Sequence, residues 1–512
     1  MKRREFLLSA SSLALPLTIN GFGMNALTGN SPLIKSIQKT MALETDKILV
    51  IIYLNGGNDG LNTVIPIEHY SAYNNLRNNI AIPENEILRL SGNPETGFHP
   101  AMTGMRDMYN EGKLAIVHSV SYPNPNQSHP RSTEIYMTGV ESNQFSSSGW
   151  AGRFLESNFS GYPTGYPNAS MKDPLALQIG YINSPALFGS TAPMNLSIND
   201  PATFYQIIGN VGSVNSVDLP CCDAGDLVKF VRDQQILSLG YSAELKQAAE
   251  AGTNLAAYPT VTPEGTTSLA EQLKIVARLI DGGSQTKIYY VEMGGFDTHS
   301  TQVDPYVTTE GTHKNLLKHM SDSIAAFQND LKLHGKEDKV IGMTFSDFGR
   351  RATSNASKGT DHGVAAPMFV FGTGVKRQIV GTNPDLVNDL LPSSPPEWEK
   401  NRDIKMQVDF RRIYGDIMND WFGNNRSATD TVLFKNFKTT SLFSNVIETV
   451  SSGSWPDRNI WSAGRMPGIK DYVKINSGHT ISLGQDVTLR NIEIDSGGEL
   501  TILGNFNINT TG

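Results

Sequence analysis

Along the chain, short and almost wholly apolar runs alternate with polar, glycine-bearing loops. Lys47 to Leu54 reads KILVIIYL, and comparable runs cover Leu114 to Val120, Ile288 to Val291, Val340 to Phe345 and Met368 to Phe371. Continuous apolar runs of this length, rich in β-branched residues, suit parallel strands buried on both faces. Helical spacing lies between them: near 100–111 (Met102, Met105, Met108, Tyr109), from Arg131 to Met137, from Ser268 to Ile280 and from Leu316 to Leu333. Strands alternating with helices to about residue 424 predict an α/β fold, a doubly wound, mostly parallel sheet with helices on both faces.

Two stretches break this rhythm. From Phe145 to about Pro263 the chain is rich in Gly, Ser, Asn and Pro, with weak periodicity. An irregular insertion or cap over the core sheet is expected there, of the kind that carries substrate selectivity. Near the end, Val473 to Leu483 resembles Ile492 to Leu503 at a spacing of roughly twenty residues, as in two turns of a β-solenoid. The expected division is a leader and linker over 1–44, an α/β domain over 45–425 with its insertion at about 145–263, a linker or packing segment over 426–470, and a small β-repeat tail over 471–512.

Composition removes some function classes. A net charge of −8 offers no basic footprint for nucleic acid. No internal segment approaches the apolar length of a membrane helix. The two cysteines, Cys221 and Cys222, are adjacent, so the fold is not disulfide-stapled; two loop thiols or a strained vicinal pair remain the alternatives. At the start, Met1-Lys2-Arg3-Arg4-Glu5-Phe6-Leu7-Leu8 sets paired arginines before an apolar stretch from Phe6 to Leu17. That pattern predicts a twin-arginine leader read by the export machinery, and a mature protein in the periplasm, at the cell surface or secreted. The mature chain would begin between Gly21 and Ala42. Such a route carries folded proteins and accords with a cofactor acquired before export.

The chemistry concentrates in three loops beside predicted strands: Gly294-Gly295-Phe296-Asp297-Thr298-His299, Ser346-Asp347-Phe348-Gly349 and Thr360-Asp361-His362-Gly363. Ligands of α/β domains bind at the carboxyl ends of strands. Carboxylate oxygens and imidazole nitrogens gathered there suit a divalent cation that polarises a phosphoryl or sulfuryl oxygen or activates a nucleophile.

With Gly56-Gly57-Asn58-Asp59-Gly60-Leu61-Asn62-Thr63, Ser128-His129-Pro130 and the twin-arginine start, these motifs follow one order over Lys47 to Phe422. That span resembles the exported family known as domain of unknown function 1501, which is related to the alkaline phosphatase and sulfatase superfamily. The resemblance implies an alkaline-phosphatase-like sheet, one or two divalent metals (zinc, manganese or iron), and hydrolysis of phosphate or sulfate esters. The ester would be a small molecule or a glycan or lipid derivative.

Carried over by position, the carboxylate after the first strand falls at Asn55 or Asp59; Asn55 brings no charge, so Asp59 takes the ligand role, with an Asx turn as the competing reading. Ser128 occupies the nucleophile position and would also cap the following helix. The sulfatase signature places Arg four residues after its nucleophile, where Ser132 stands here, so a formylglycine at Ser128 is not expected. His129 would assist as acid or base, with a turn histidine beside Pro130 as the competing reading. Asp297, His299 and His362 would form a site of two imidazoles and one carboxylate with open positions. Asp347 would serve a second metal, although Phe348 replaces the histidine usual beside it. Asp361 would orient the His362 imidazole. Arg350, with Arg351, would meet a substrate oxyanion or lie on a solvated helix face. The alternative is a non-catalytic exported protein that keeps the fold for binding or structure, with Asn55 and Phe348 marking lost ligands.

Overall fold

The computed structural model describes residues 46–512 apart from 160, 163–164, 181–182, 191, 203–237, 392–402, 444–445, 463–465, 469–470, 490 and 511–512. It also describes two short paired strands, Leu17–Ile19 and Phe22–Met24, within the expected leader and linker. Cys221, Cys222 and the twin-arginine motif lie outside the described residues.

A nine-stranded sheet organises the chain. Its strands are β1 (Ile48–Leu54), β2 (Leu114–Ser121), β3 (Ala176–Ile179), β4 (Asn195–Ile198), β5 (Ile288–Met293), β6 (Val340–Ser346), β7 (Ala366–Phe371), β8 (Gln378–Val380) and β9 (Val408–Asp409). They run in the order β8-β2-β7-β6-β1-β5-β3-β4, with β9 continuing beside the end of β2. Every pairing is parallel except those on either side of β7, which runs against both its neighbours. All seven residues of β1 and all eight of β2 are buried, as the apolar runs predict for strands covered on both faces.

One covering layer comprises α1 (Thr103–Asn110), α4 (Leu269–Asp281) and α5 (Thr312–Leu333), which pack on one another. Ser268 starts α4 as an N-cap, its hydroxyl accepting from the Glu271 amide. A second layer holds α2 (His129–Thr138), α3 (Trp150–Asn158) and α6 (Phe410–Asp416). Here Tyr53 of β1 and Phe345 of β6 stack at 4.8 Å, Tyr136 stacks on Phe410 at 4.4 Å, and Trp150 stacks on Tyr414 at 4.2 Å. Large aromatic rings in offset contact add to the area they bury.

Two expectations are revised. Within the segment read as a cap, β3 and β4 extend the central sheet beyond β5 instead of lying over it. They are only four residues long, too short for periodicity to reveal. The terminal stack also begins earlier than the visible repeat. Val446–Glu448, Tyr472–Ile475 and Asn491–Ile494 form one parallel ladder, and Gly453–Ser454, Thr480–Leu483 and Glu499–Ile502 form another. A third ladder joins Val487–Leu489 to Ile508–Thr510. The register of Tyr472 with Asn491 and Thr480 with Glu499 reproduces the sequence spacing. Trp455, Trp461, Ile475, Ile481, Leu483 and Leu489 fill a separate core inside it.

Candidate metal centre

Register sets the site. Leu54 is level with Met293 across the β1–β5 ladder and with Ser346 across the β1–β6 ladder. Three adjacent parallel strands therefore end together, and the loops beginning at Asn55, Gly294 and Asp347 leave from one edge. Helix α2 starts at His129 after β2 has reached the same edge, and antiparallel β7 begins there, preceded by His362.

At this edge His129, Asp297 and His362 each offer one donor atom, all within 4.8 Å of one another. The two Nε2 atoms stand 3.1 Å apart. His362 Nε2 lies 3.4 Å from Asp297 Oδ1, and His129 Nε2 lies 3.7 Å from Asp297 Oδ2. The far side of each ring is held. His129 Nδ1 meets the carboxylate of buried Asp347, and His362 Nδ1 lies 2.9 Å from the Gln127 carbonyl. An imidazole whose Nδ1 is engaged by an acceptor presents its Nε2 lone pair outward, the usual arrangement around a metal. His299 stands at the outer side, with Nε2 3.1 Å from Asp297 Oδ1 and Nδ1 3.3 Å from Asp361 Oδ1.

Electrostatics favour the ligand forms. Burial opposes ionisation of Asp297, but the hydrogen bond and charge of Arg350, followed by His299 and His129, outweigh it and hold the carboxyl below its ordinary range. Burial holds the His362 imidazole below its usual value; the Gln127 bond opposes this, whereas the nearby Arg350, His129 and His299 add to it. Both groups are thus in the state a cation requires near neutral pH. Two nitrogen donors and a carboxylate oxygen, with braced rings, fit a divalent transition metal.

The remaining predicted residues separate into three groups. Asp347 is present but stands behind His129: its Oδ1 accepts from the Gly56 and Gly57 amides at 3.1 and 2.7 Å. Phe348 lies against both histidine rings, at 4.6 Å from His129 and 4.5 Å from His362. Ser128, directly before His129, is exposed and makes no side-chain cap bond to α2.

Others take roles that the sequence did not suggest. Asp59 does not join the cluster. It is buried with both oxygens on Arg77 Nη1 at 2.9 and 2.8 Å, and the fully buried Arg77 neutralises it. The ligand role expected for Asp59 is corrected accordingly. Asn55 donates to Glu292 Oε1 at 2.8 Å. Asp361 orients His299, not His362, whose Nδ1 is already taken by Gln127.

Arg350 is neither on a solvated face nor available to substrate. It is completely buried, donating to the carbonyls of Gly57 and Thr360 at 2.8 Å each and to Asp297 Oδ1 at 2.5 Å. A guanidinium forks naturally between carbonyls and a carboxylate, so it ties three loops together. The sequence offered His129 as an acid or base or as a turn residue beside Pro130, not as a ligand; its pairing with His362 depends on the closure of β2 on β7.

No curated protein matches the chain. Among solved structures it is similar to a protein of the alkaline phosphatase superfamily from Vibrio parahaemolyticus, at 11% identity over 66% of this chain and 63% of that one, with a TM-score of 0.30. It therefore spans less than two thirds of that protein. It is also similar to the PsFucS1 sulfatase from Pseudoalteromonas sp., at 11% identity over 80% and 73% with a TM-score of 0.30. The alkaline phosphatase from the Antarctic bacterium TAB5 is similar at 10% identity over 65% and 94% with a TM-score of 0.26. Residues 235–433, which carry Asp297, His299, Asp347, Arg350, Asp361 and His362 but not His129, match the model of the family described as "Protein of unknown function (DUF1501)".

Proposed function

We propose that this chain is a metal-dependent hydrolase of phosphate or sulfate esters, exported by the twin-arginine route to the periplasm or beyond. The observation that carries the reading is the convergence of His129 Nε2, His362 Nε2 and Asp297 on one point, with the other nitrogen of each imidazole already occupied. A zinc, manganese or iron cation held there supplies Lewis acidity toward an ester oxygen and eases deprotonation of a hydroxyl or water. Arg350 keeps Asp297 ionised and fixed. Asp347 and Gln127 keep the two imidazoles turned inward. Ser128, exposed and uncommitted at the N-terminus of a ten-residue helix, is the nucleophile in this reading. The partly exposed His299 and Asp361 leave the centre open to an ester on that side.

The test is elemental analysis of purified protein after loading with zinc or manganese, beside Asp297→Asn and His362→Ala, followed by assays on aryl phosphates and sulfates. Near-stoichiometric metal that both substitutions abolish, with turnover lost in Ser128→Ala while its metal is retained, is the expected result. A wild-type protein that takes up no metal would sink the hydrolase reading and leave a binding or structural role.

A further inference from the structure

We infer that Gln302 is a positioning residue whose amide fastens the loop of Asp297 and His299 to the loop of His362. The inference rests on the metal centre proposed above. Gln302 Oε1 accepts from Thr298 Oγ1 at 3.1 Å and from Thr360 Oγ1 at 2.9 Å. Thr298 sits between Asp297 and His299, and Thr360 lies two residues before His362. On its other side Gln302 Nε2 donates to Asp59 Oδ2 at 2.6 Å. A carboxylate only accepts, so Asp59 fixes which end of the amide faces it and leaves Oε1 for the two hydroxyls. Arg77 holds Asp59 from behind.

All of these groups are buried: Gln302, Thr360 and Arg77 at 0%, Asp59 at 1% and Thr298 at 3% exposure. Hydrogen bonds so placed are costly to leave unmade, because water cannot replace the lost partner. The backbone runs the same way. Thr360 N donates to Thr298 O at 3.1 Å, Thr301 N to Ser357 O at 3.2 Å and Gln302 N to Lys358 O at 3.0 Å. The two donor-bearing loops are thus laced along their length, and one side chain bridges them where the ligands emerge. Asp59 acts at one remove, by orienting the amide that holds the ligands' neighbours.

Gln302→Met keeps the volume and removes both polar ends; Thr360→Val is a milder variant that removes one bond. Zinc and manganese affinities would be read by competition titration, and hydrogen exchange of 297–302 and 357–362 would be followed in metal-free protein. Removing such a supporting partner typically weakens metal binding about 10–100-fold. Gln302→Met should show a loss of that size, Thr360→Val a smaller one, and both loops should exchange faster. Asp330→Asn serves as a control, since Asp330 clamps the backbone at Leu255 and Ala256 away from the site. It should lower stability and leave metal affinity alone. Wild-type affinity or wild-type protection in folded Gln302→Met would overturn the inference. If the wild-type protein takes up no metal, the hydrolase reading fails by itself and the exchange measurement still decides the coupling, unchanged protection overturning it.

Discussion

Asp347 reaches His129 across the carboxyl edge of the sheet, one carboxylate oxygen on the imidazole Nδ1 and the other on two consecutive glycine amides. The pair fixes the tautomer as well as the position, since an accepting oxygen requires hydrogen on Nδ1 and leaves Nε2 bare.

Asp347→Asn separates these roles. The amide oxygen can still take the glycine N–H groups, but the amide nitrogen would then face Nδ1 and invert the tautomer. Metal affinity should fall about 10–100-fold in Asp347→Asn and by a similar factor in Asp347→Ala. Competition titration checks this, and wild-type affinity in Asp347→Asn would show that tautomer control is unimportant.

Arg77 and Asp59 form a buried pair with side-chain exposures of 0% and 1%. Removing one partner strands the other. Arg77→Met should cost about 3–5 kcal/mol of folding stability, measured by denaturant unfolding.

Stability should also respond to acid. Burial lowers the His118 pKa to about 4, and its Nε2 has no hydrogen-bond partner. The unfolded chain binds a proton near the ordinary histidine value of about 6.5, so between there and about 4 it holds more protons than the folded chain. Stability contributed by neutral His118 is therefore present above about 6.5 and is lost as pH falls toward 4. In His118→Phe the slope of unfolding free energy against pH should be shallower across that window, approaching one proton less.

Gly57 adopts φ +80°, and a Cβ there would stand 2.6 Å from the Phe348 ring and 3.2 Å from Arg350 Nε. Gly57→Ala meets both a backbone penalty of about 1 kcal/mol or more and this clash. It should destabilise the protein in thermal melts and weaken metal uptake, because Phe348 packs on both histidines.

Much of this arrangement was legible in the chain. The apolar runs at 47–54, 114–120, 288–291 and 340–345 are core strands because burial on both faces leaves little room for polar residues. The loops that carry Asp297, His299, Asp347 and His362 were legible beside those strands, but the expected trio of Asp297, His299 and His362 has His129 in the place given to His299, and Asp347 stands behind His129. What failed was partner choice. Asp59 and Arg77 are 18 residues apart, and nothing local tells a carboxylate whether it will meet a cation or an arginine. Arg350 looked like surface charge because its acceptors are mainly backbone carbonyls, which no side-chain pattern records. The first strands of the terminal stack, Val446–Glu448 and Gly453–Ser454, are too short to show alternation.

The reversed strand β7 gives the molecule a seam. His362 arrives with the β6–β7 excursion, whereas His129 arrives with β2 and α2, and the two meet only because β7 zips against β2 from Ala366–Val120 to Phe371–Leu114. One donor of the three sits on one side of that zip and two on the other. A chain with the seam open would hold Asp297 and His362 without His129, so full coordinating strength appears only once the sheet is closed. In the metal centre proposed above, tight uptake therefore requires this seam to be closed.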